Sequence, residues 1–167
     1  MNHQHGPVCR EAVLAHAADA NAVVELLDAY ARDPMGGGAG LSAPVRQELP
    51  RALATRPNVR VLLAELDARP VGVAVCIEGF STFACKPLLN LHDIAVMPAY
   101  RRRGVATALL RAAETLARGL GCCKLTLEVL SNNLPAQATY RRAGFHDYRL
   151  DPASGHALFW QKQLGAP

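Results

Sequence analysis

Val96-Met-Pro-Ala-Tyr-Arg-Arg-Arg-Gly-Val-Ala-Thr-Ala-Leu-Leu110 sets three arginines and a glycine at the mouth of an amphipathic helix. Apolar Val105, Leu109, Ala113, Leu116 and Leu120 recur at helical spacing, while Thr107, Arg111, Glu114, Thr115 and Arg118 mark the opposite face. Gly121 supplies a stop. The run Leu88 to Val96 is apolar and of strand length, so the basic loop sits where a strand hands over to a helix. The first turn of a helix leaves amide N–H groups without intrahelical acceptors, and their aligned dipoles favour an anion.

The spacing Arg101-x-x-Gly104-x-Ala106 suits a pyrophosphate. Gly104 admits close backbone approach, small Ala106 keeps the helix entrance open, and Arg101, Arg102 and Arg103 add charge. The Gly-Lys-Ser/Thr ending of a nucleotide P-loop and the three spaced glycines of a dinucleotide fingerprint are both absent. A second block follows, Leu127-Glu-Val-Leu-Ser-Asn-Asn133-Leu-Pro-Ala-Gln-Ala-Thr-Tyr140-Arg-Arg-Ala-Gly144-Phe145. With Val96-x-Pro98-x-Tyr100 ahead of the basic loop, the two blocks resemble the GNAT superfamily of N-acetyltransferases. In that family an Asn precedes a Tyr by seven residues and Gly-Phe follows four beyond, as Asn133, Tyr140 and Gly144-Phe145 do here. The resemblance covers residues 88 to 150 well, residues 59 to 87 loosely, and the first 55 only in element order.

An α/β fold in a single domain, residues 1–167, is expected. Val8 to Leu14 opens a sheet, Asp19 caps a helix carrying Val23, Val24, Leu26, Leu27 and Tyr30, and the glycine-rich Asp33 to Ser42 is flexible. A helix over Ala43 to Thr55 follows, then strands Val59–Leu66 and Val71–Ile77 joined by the turn Asp67-Ala-Arg-Pro70. Beyond the strand Leu88–Val96 and its helix come a strand Lys124–Leu130, a helix Leu134–Ala143, and closing strands near Phe145–Leu150 and Ala157–Gln163. That makes a mixed sheet of about seven strands with about four helices. The resemblance implies that the sheet splays between its fourth and fifth strands.

By the same resemblance the cofactor is acetyl-CoA. Its pantetheine arm would bond the backbone of Ile94, Ala95 and Val96 like an added strand, the amides from Arg102 through Gly104, Val105 and Ala106 to Thr107 would hold pyrophosphate, and Asn133 would bond the arm's amides. Tyr140 matches the family's acid. An ammonium must lose a proton before it attacks, and Glu128, His92 and Asp93 compete to be the base that takes it. Glu128, twelve residues before Tyr140, resembles the proposed base of ribosomal-protein N-terminal acetyltransferases and ranks first. His92, in Leu91-His-Asp-Ile-Ala-Val96, stands where polyamine acetyltransferases carry a Glu. The acceptor would pass the glycine-rich segment and Gly79-Phe-Ser-Thr-Phe83. The likeness of the Phe80–Phe83 region, and of Leu158-Phe-Trp160, to diamine and polyamine acetyltransferases implies a small-molecule amine. A protein N-terminus or lysine, and a non-catalytic acyl-CoA sensor, are the competing readings. A homodimer through an edge strand near the C-terminus is also implied.

Composition narrows the classes. No apolar run approaches the roughly 20 residues of a membrane span, and the N-terminus lacks a signal-peptide plan, so a cytoplasmic protein without a membrane partner is expected. Five cysteines without Cys-x-x-Cys spacing suggest neither disulfides nor zinc, and His3 and His5 lack a third ligand, so no metal is expected. Net charge is +4, but Arg101–Arg103 and Arg141-Arg142 are short clusters without interleaved aromatics, which argues against nucleic acid.

Overall fold

The computed structural model describes residues 6–148, Ala153 and residues 157–164. In chain order they form β1 (Val8–Glu11), α1 (Ala17–Arg32), a 3-10 turn (Pro34–Gly36), α2 (Ala43–Ala54), β2 (Val59–Leu66), β3 (Arg69–Ser81) and β4 (Lys86–Val96). A second 3-10 turn (Pro98–Tyr100), α3 (Val105–Gly119), β5 (Leu125–Leu127) and α4 (Leu134–Arg142) complete the order. The sheet runs β1-β2-β3-β4-β5, antiparallel until the parallel β4–β5 pair.

Asp67 and Ala68 take φ of 52° and 58°, so β2 and β3 are joined by a two-residue hairpin turn and Leu66 pairs directly with Arg69. The turn is thus tighter than Asp67 to Pro70. Pro70 brings no ladder donor, and the register shifts beside it at Ala64/Glu65. One sheet face, with Leu62, Ala74, Leu89 and Leu91, packs on Val105, Leu109 and Ala113 of α3. The other, with Val61, Leu63, Val73 and Val75, packs on Val23, Leu26 and Leu27 of α1. Gly72 lets α3 lie close: a Cβ there would stand 2.8 Å from Val105 Cγ1 and 3.2 Å from both Leu109 Cδ1 and the Ala95 carbonyl oxygen.

Asp19 is not a cap. His16 holds the N-cap position of α1 without a side-chain bond, and Asp19 sits a turn inside, buried. Its carboxylate accepts from Arg10 Nη1 and Nη2 (2.6 and 2.7 Å) and from the Val13 amide (2.7 Å), while Arg10 also reaches Glu65. A charge buried on α1 is tolerated because it is paired and bonded, and the pair ties β1 to the helix. The Arg10 bonds hold the Asp19 carboxyl down at about 2.

Among the described residues the sheet has five strands, fewer than seven. β5 pairs over only three residues, shorter than Lys124–Leu130. Residues 145–148 and 157–164 are irregular, and Leu158, Phe159 and Trp160 are all exposed. A strand apolar on both faces needs cover on both, and a ladder there needs a template that β5 does not extend. His3, His5 and Arg149-Leu150 lie outside the described residues. No helix among the described residues is long and apolar enough to cross a membrane.

Candidate active site

The β4–β5 ladder is short. β4 and β5 pair only at Leu89↔Leu125, Asn90↔Thr126 and Leu91↔Leu127. Just beyond, the β3–β4 register slips, with Val75 opposite Asp93 but Cys76 opposite Leu91, so His92 is an extra residue on β4. A bulge disrupts the ladder locally, and here it falls where the β4–β5 pairing ends. The edge from Ile94 to Val96 then borders a cleft of about 950 Å³. Past the bulge, Ile94 and Val96 pack toward α3 while Ala95 faces α1.

The loop from Arg101 to Gly104 closes one end of that cleft. Arg102 and Gly104 take φ of 62° and 81°, and a Cβ on Gly104 would meet nothing within 4 Å. Glycine is favoured here by the left-handed backbone alone, since the space before it is open. As N-cap of α3, Gly104 offers no side-chain acceptor, so the amides of Val105, Ala106 and Thr107 remain for an anion. Arg102, Gly104, Val105, Ala106 and Thr107 line the cleft. Arg103 does not: its guanidinium lies over the Tyr100 ring at 5.4 Å and 3.9 Å from Asp67. Arg101 borders the cleft, but Nη2 is bonded to Asp33 at 2.7 Å and Nε to the Val96 carbonyl at 3.2 Å.

The opposite wall is α4. Asn133 is its N-cap, accepting from the Ala136 amide at 3.3 Å, which leaves its NH₂ for a ligand. At the other end, Gly144 takes φ of 91°, its amide bonds the Arg141 carbonyl, and the Phe145 amide bonds the Tyr140 carbonyl. That is a Schellman stop, and its accompanying apolar contact is Tyr140 against Phe145, edge to face at 6.2 Å. The Gly-Phe pair thus fixes the Tyr140 ring at the cleft. Burial, with the nearby Tyr30, pushes the Tyr140 phenol up to about 12, so it keeps its proton at neutral pH.

The three base candidates part company. Glu128 falls beyond the end of β5, exposed, with both oxygens near Asn90 Nδ2 at 3.2 and 3.3 Å. His92, on the bulge, is exposed. Asp93 is half-buried, and burial raises its carboxyl above the ordinary range against the opposing pull of His92. Its charge is felt at Tyr30, whose phenol is raised by burial and by the Asp93 and Asp33 carboxylates. Tyr30, Asp33 and Met35 also border the cleft. Tyr30 reads in sequence as one more apolar position of α1, and only the packing of that helix beside the end of β4 shows that it borders the site.

The glycine-rich segment is tied at both ends rather than loose. Asp33 caps the turn through the Met35 amide (2.9 Å), and its carbonyl accepts from Gly36 and Gly38. Asp28 holds the Leu41 amide at 2.8 Å and pairs with Arg32 and Arg46. A Cβ on Gly36 would stand 1.9 Å from the Tyr30 carbonyl oxygen, so only glycine folds back this tightly. The Gly79–Phe83 stretch is instead the exposed end of the β3–β4 hairpin, away from the cleft.

A family model described as acetyltransferase (GNAT) family matches residues 22–145. The chain belongs to the GNAT family. This GNAT chain is 43% identical over 86 residues to the streptothricin acetyltransferase of Streptomyces lavendulae, a match spanning 50% of the chain and 46% of that relative. It is 31% identical to an aminoglycoside N(6')-acetyltransferase type 1 of Acinetobacter haemolyticus, over 60% of the chain and 71% of the relative. Among solved structures, an aminoglycoside N-acetyltransferase in complex with CoA superposes with a TM-score of 0.70 at 17% identity, covering 94% of this chain and 95% of that one. The last shares the fold.

Proposed function

We propose that this chain is an acetyl-CoA-dependent N-acetyltransferase acting on a primary amine of a small cationic molecule. One observation carries the reading: a free strand edge, an anion-ready helix N-terminus and a protonated Tyr140 border the same cleft. The residues fit the cofactor. The open space before Gly104 and the amides from Val105 to Thr107 would hold pyrophosphate, Arg102 adds charge, and the edge from Ile94 to Val96 would pair with an amide-bearing arm.

When bound, acetyl-CoA supplies an activated acetyl thioester. The chain's own residues then play three parts. Asp93, raised by burial and placed toward the α1 wall, accepts the proton of the incoming ammonium, directly or through one water. Backbone N–H groups on the free edge of β4 would be available to stabilise the oxygen on which charge grows. Tyr140, which keeps its phenolic proton at neutral pH, would supply that proton to the leaving thiolate and recover one from solvent. Asp93 replaces Glu128 as first choice because it is half-buried and its charge is felt at Tyr30, which lines the cleft, whereas Glu128 is exposed and bonds Asn90. The Asp93 and Asp33 carboxylates near Tyr30 favour a cationic acceptor, in keeping with relatives named for streptothricin and aminoglycosides.

The test is thiol release from acetyl-CoA with a panel of streptothricin, an aminoglycoside, a short diamine and a peptide with a free N-terminus. Turnover with a small cationic amine is expected. Turnover with the peptide alone would move the acceptor to proteins, and cofactor binding without thiol release from any amine would favour an acyl-CoA sensor.

A further inference from the structure

The guanidinium of Arg101 joins three segments. Its Nε bonds the Val96 carbonyl at the end of β4 (3.2 Å), its Nη2 bonds Asp33 Oδ2 after α1 (2.7 Å), and its backbone opens the phosphate loop. Asp33 in turn organises the next turn: Oδ1 accepts from Met35, and its carbonyl accepts from Gly36 and Gly38. Met35 and Tyr30, on which Gly36 folds back, border the acceptor side of the cleft. A residue whose position in Arg-x-x-Gly-x-Ala suggests anion binding is thus neutralised by a carboxylate from the far wall. Among the described residues Arg102 has no ion-pair partner and lines the same cleft, so the anion has another cation available.

We infer that the Asp33–Arg101 pair is a positioning device which couples occupancy of the phosphate loop to the placement of the acceptor wall, and that Arg101 acts through Asp33 rather than on the pyrophosphate. The inference rests on the reading of the cleft as a coenzyme A site. When the loop amides are engaged, the Arg101 backbone is held, its guanidinium holds Asp33, and the turn carrying Met35 is fixed against Tyr30. The cofactor therefore prepares the acceptor half before the amine arrives. The pair is partly exposed, 50% at Arg101 and 18% at Asp33, so the coupling is modest, about fivefold.

Asp33→Asn keeps an oxygen for the Met35 amide but removes the charge, and Arg101→Gln removes the other partner. Two probes are used on the full chain, coenzyme A itself and amide hydrogen exchange at Gly36 and Gly38. In the wild type, saturating coenzyme A should slow exchange at both glycines about fivefold. In either variant and in the double variant that slowing should vanish, while Kd for coenzyme A stays within about twofold. With the best amine of the panel, KM for the amine should rise about fivefold with kcat little changed, a split that general loosening of the fold would not give. Loss of about tenfold or more in coenzyme A affinity in Arg101→Gln but not Asp33→Asn would make Arg101 a pyrophosphate ligand and overturn the inference. Cofactor-linked protection that persists in both variants would overturn it too. Should the wild type bind no coenzyme A, the cofactor reading fails, and the coupling fails with it; exchange in ligand-free variants equal to wild type would show separately that the pair does not hold the turn.

Discussion

Gly72→Ala is a one-methyl test of how the sheet positions the phosphate loop. The added Cβ would stand 2.8 Å from Val105 Cγ1, where ordinary contact begins at 3.4 Å, so α3 must give by about 0.6 Å at its first residue. It would also press at 3.2 Å on Leu109 Cδ1 and on the carbonyl oxygen of Ala95, and the latter is backbone of the cleft edge itself. None of these neighbours is the far end of a flexible, exposed side chain: Val105 and Leu109 are buried. Overpacking of this kind costs about 1–3 kcal/mol, which for a chain of this size lowers Tm by about 3–9 °C. The amides of Val105 to Thr107 move with the helix. Weakening rather than losing their charge-assisted bonds raises Kd for acetyl-CoA about tenfold, or 1.4 kcal/mol. Thermal unfolding and calorimetric titration read the two effects. Gly79→Ala is the control, since its Cβ would meet only the Leu88 side chain on the hairpin arm, away from the cleft. Equal Tm and a Kd within twofold of wild type for Gly72→Ala would refute the argument that this contact sets the helix entrance.

Tyr140→Phe should lower kcat about a hundredfold with little change in Kd for acetyl-CoA, measured by thiol release and titration. Asp93→Asn should flatten the acid limb of the pH–rate profile, whose midpoint in the wild type lies above the ordinary carboxylate value, whereas Glu128→Gln and His92→Gln should keep it. Asp19→Asn should cost about 1–2 kcal/mol at pH 7, less than the full effect of the bonds because Arg10 is 42% exposed. The folded carboxyl lies at about 2, below its unfolded value near 3.9, so the stabilisation is complete above about pH 4 and fades as pH falls through 2; urea unfolding across that window should show the slope in the wild type and not in the variant. Ala68→Gly should raise stability by about 0.5–1 kcal/mol, because Ala68 holds a left-handed conformation in the hairpin turn.

Helical period is enough to read α3, and the apolar run at Val59–Leu66 gives β2 with its observed ends. Both depend on local pattern. The conformation of the Arg101–Gly104 loop is equally legible, because a left-handed Gly104 ahead of an uncapped helix is a local matter. The bulge is not. Strict alternation from Leu88 would set His92 and Asp93 by period two, and one inserted residue opposite Cys76 resets which side chain faces α1. Glu128 reads as a strand residue until β5 is seen to end at Leu127. Asp19 has the chemistry of a cap, and only a partner nine residues earlier, Arg10 on another element, shows its use. The Asp33–Arg101 bond spans 68 residues, a separation that no local pattern records.

The most direct test of the cofactor cleft is a titration of the labelled protein with coenzyme A followed by amide ¹H–¹⁵N spectra. The largest shifts are expected at Ile94, Ala95 and Val96 on the free edge of β4 and from Arg102 to Thr107 at the entrance of α3, with Asn133 and Tyr140 next. A spectrum unmoved at millimolar coenzyme A, or shifts centred away from these residues, would contradict the account.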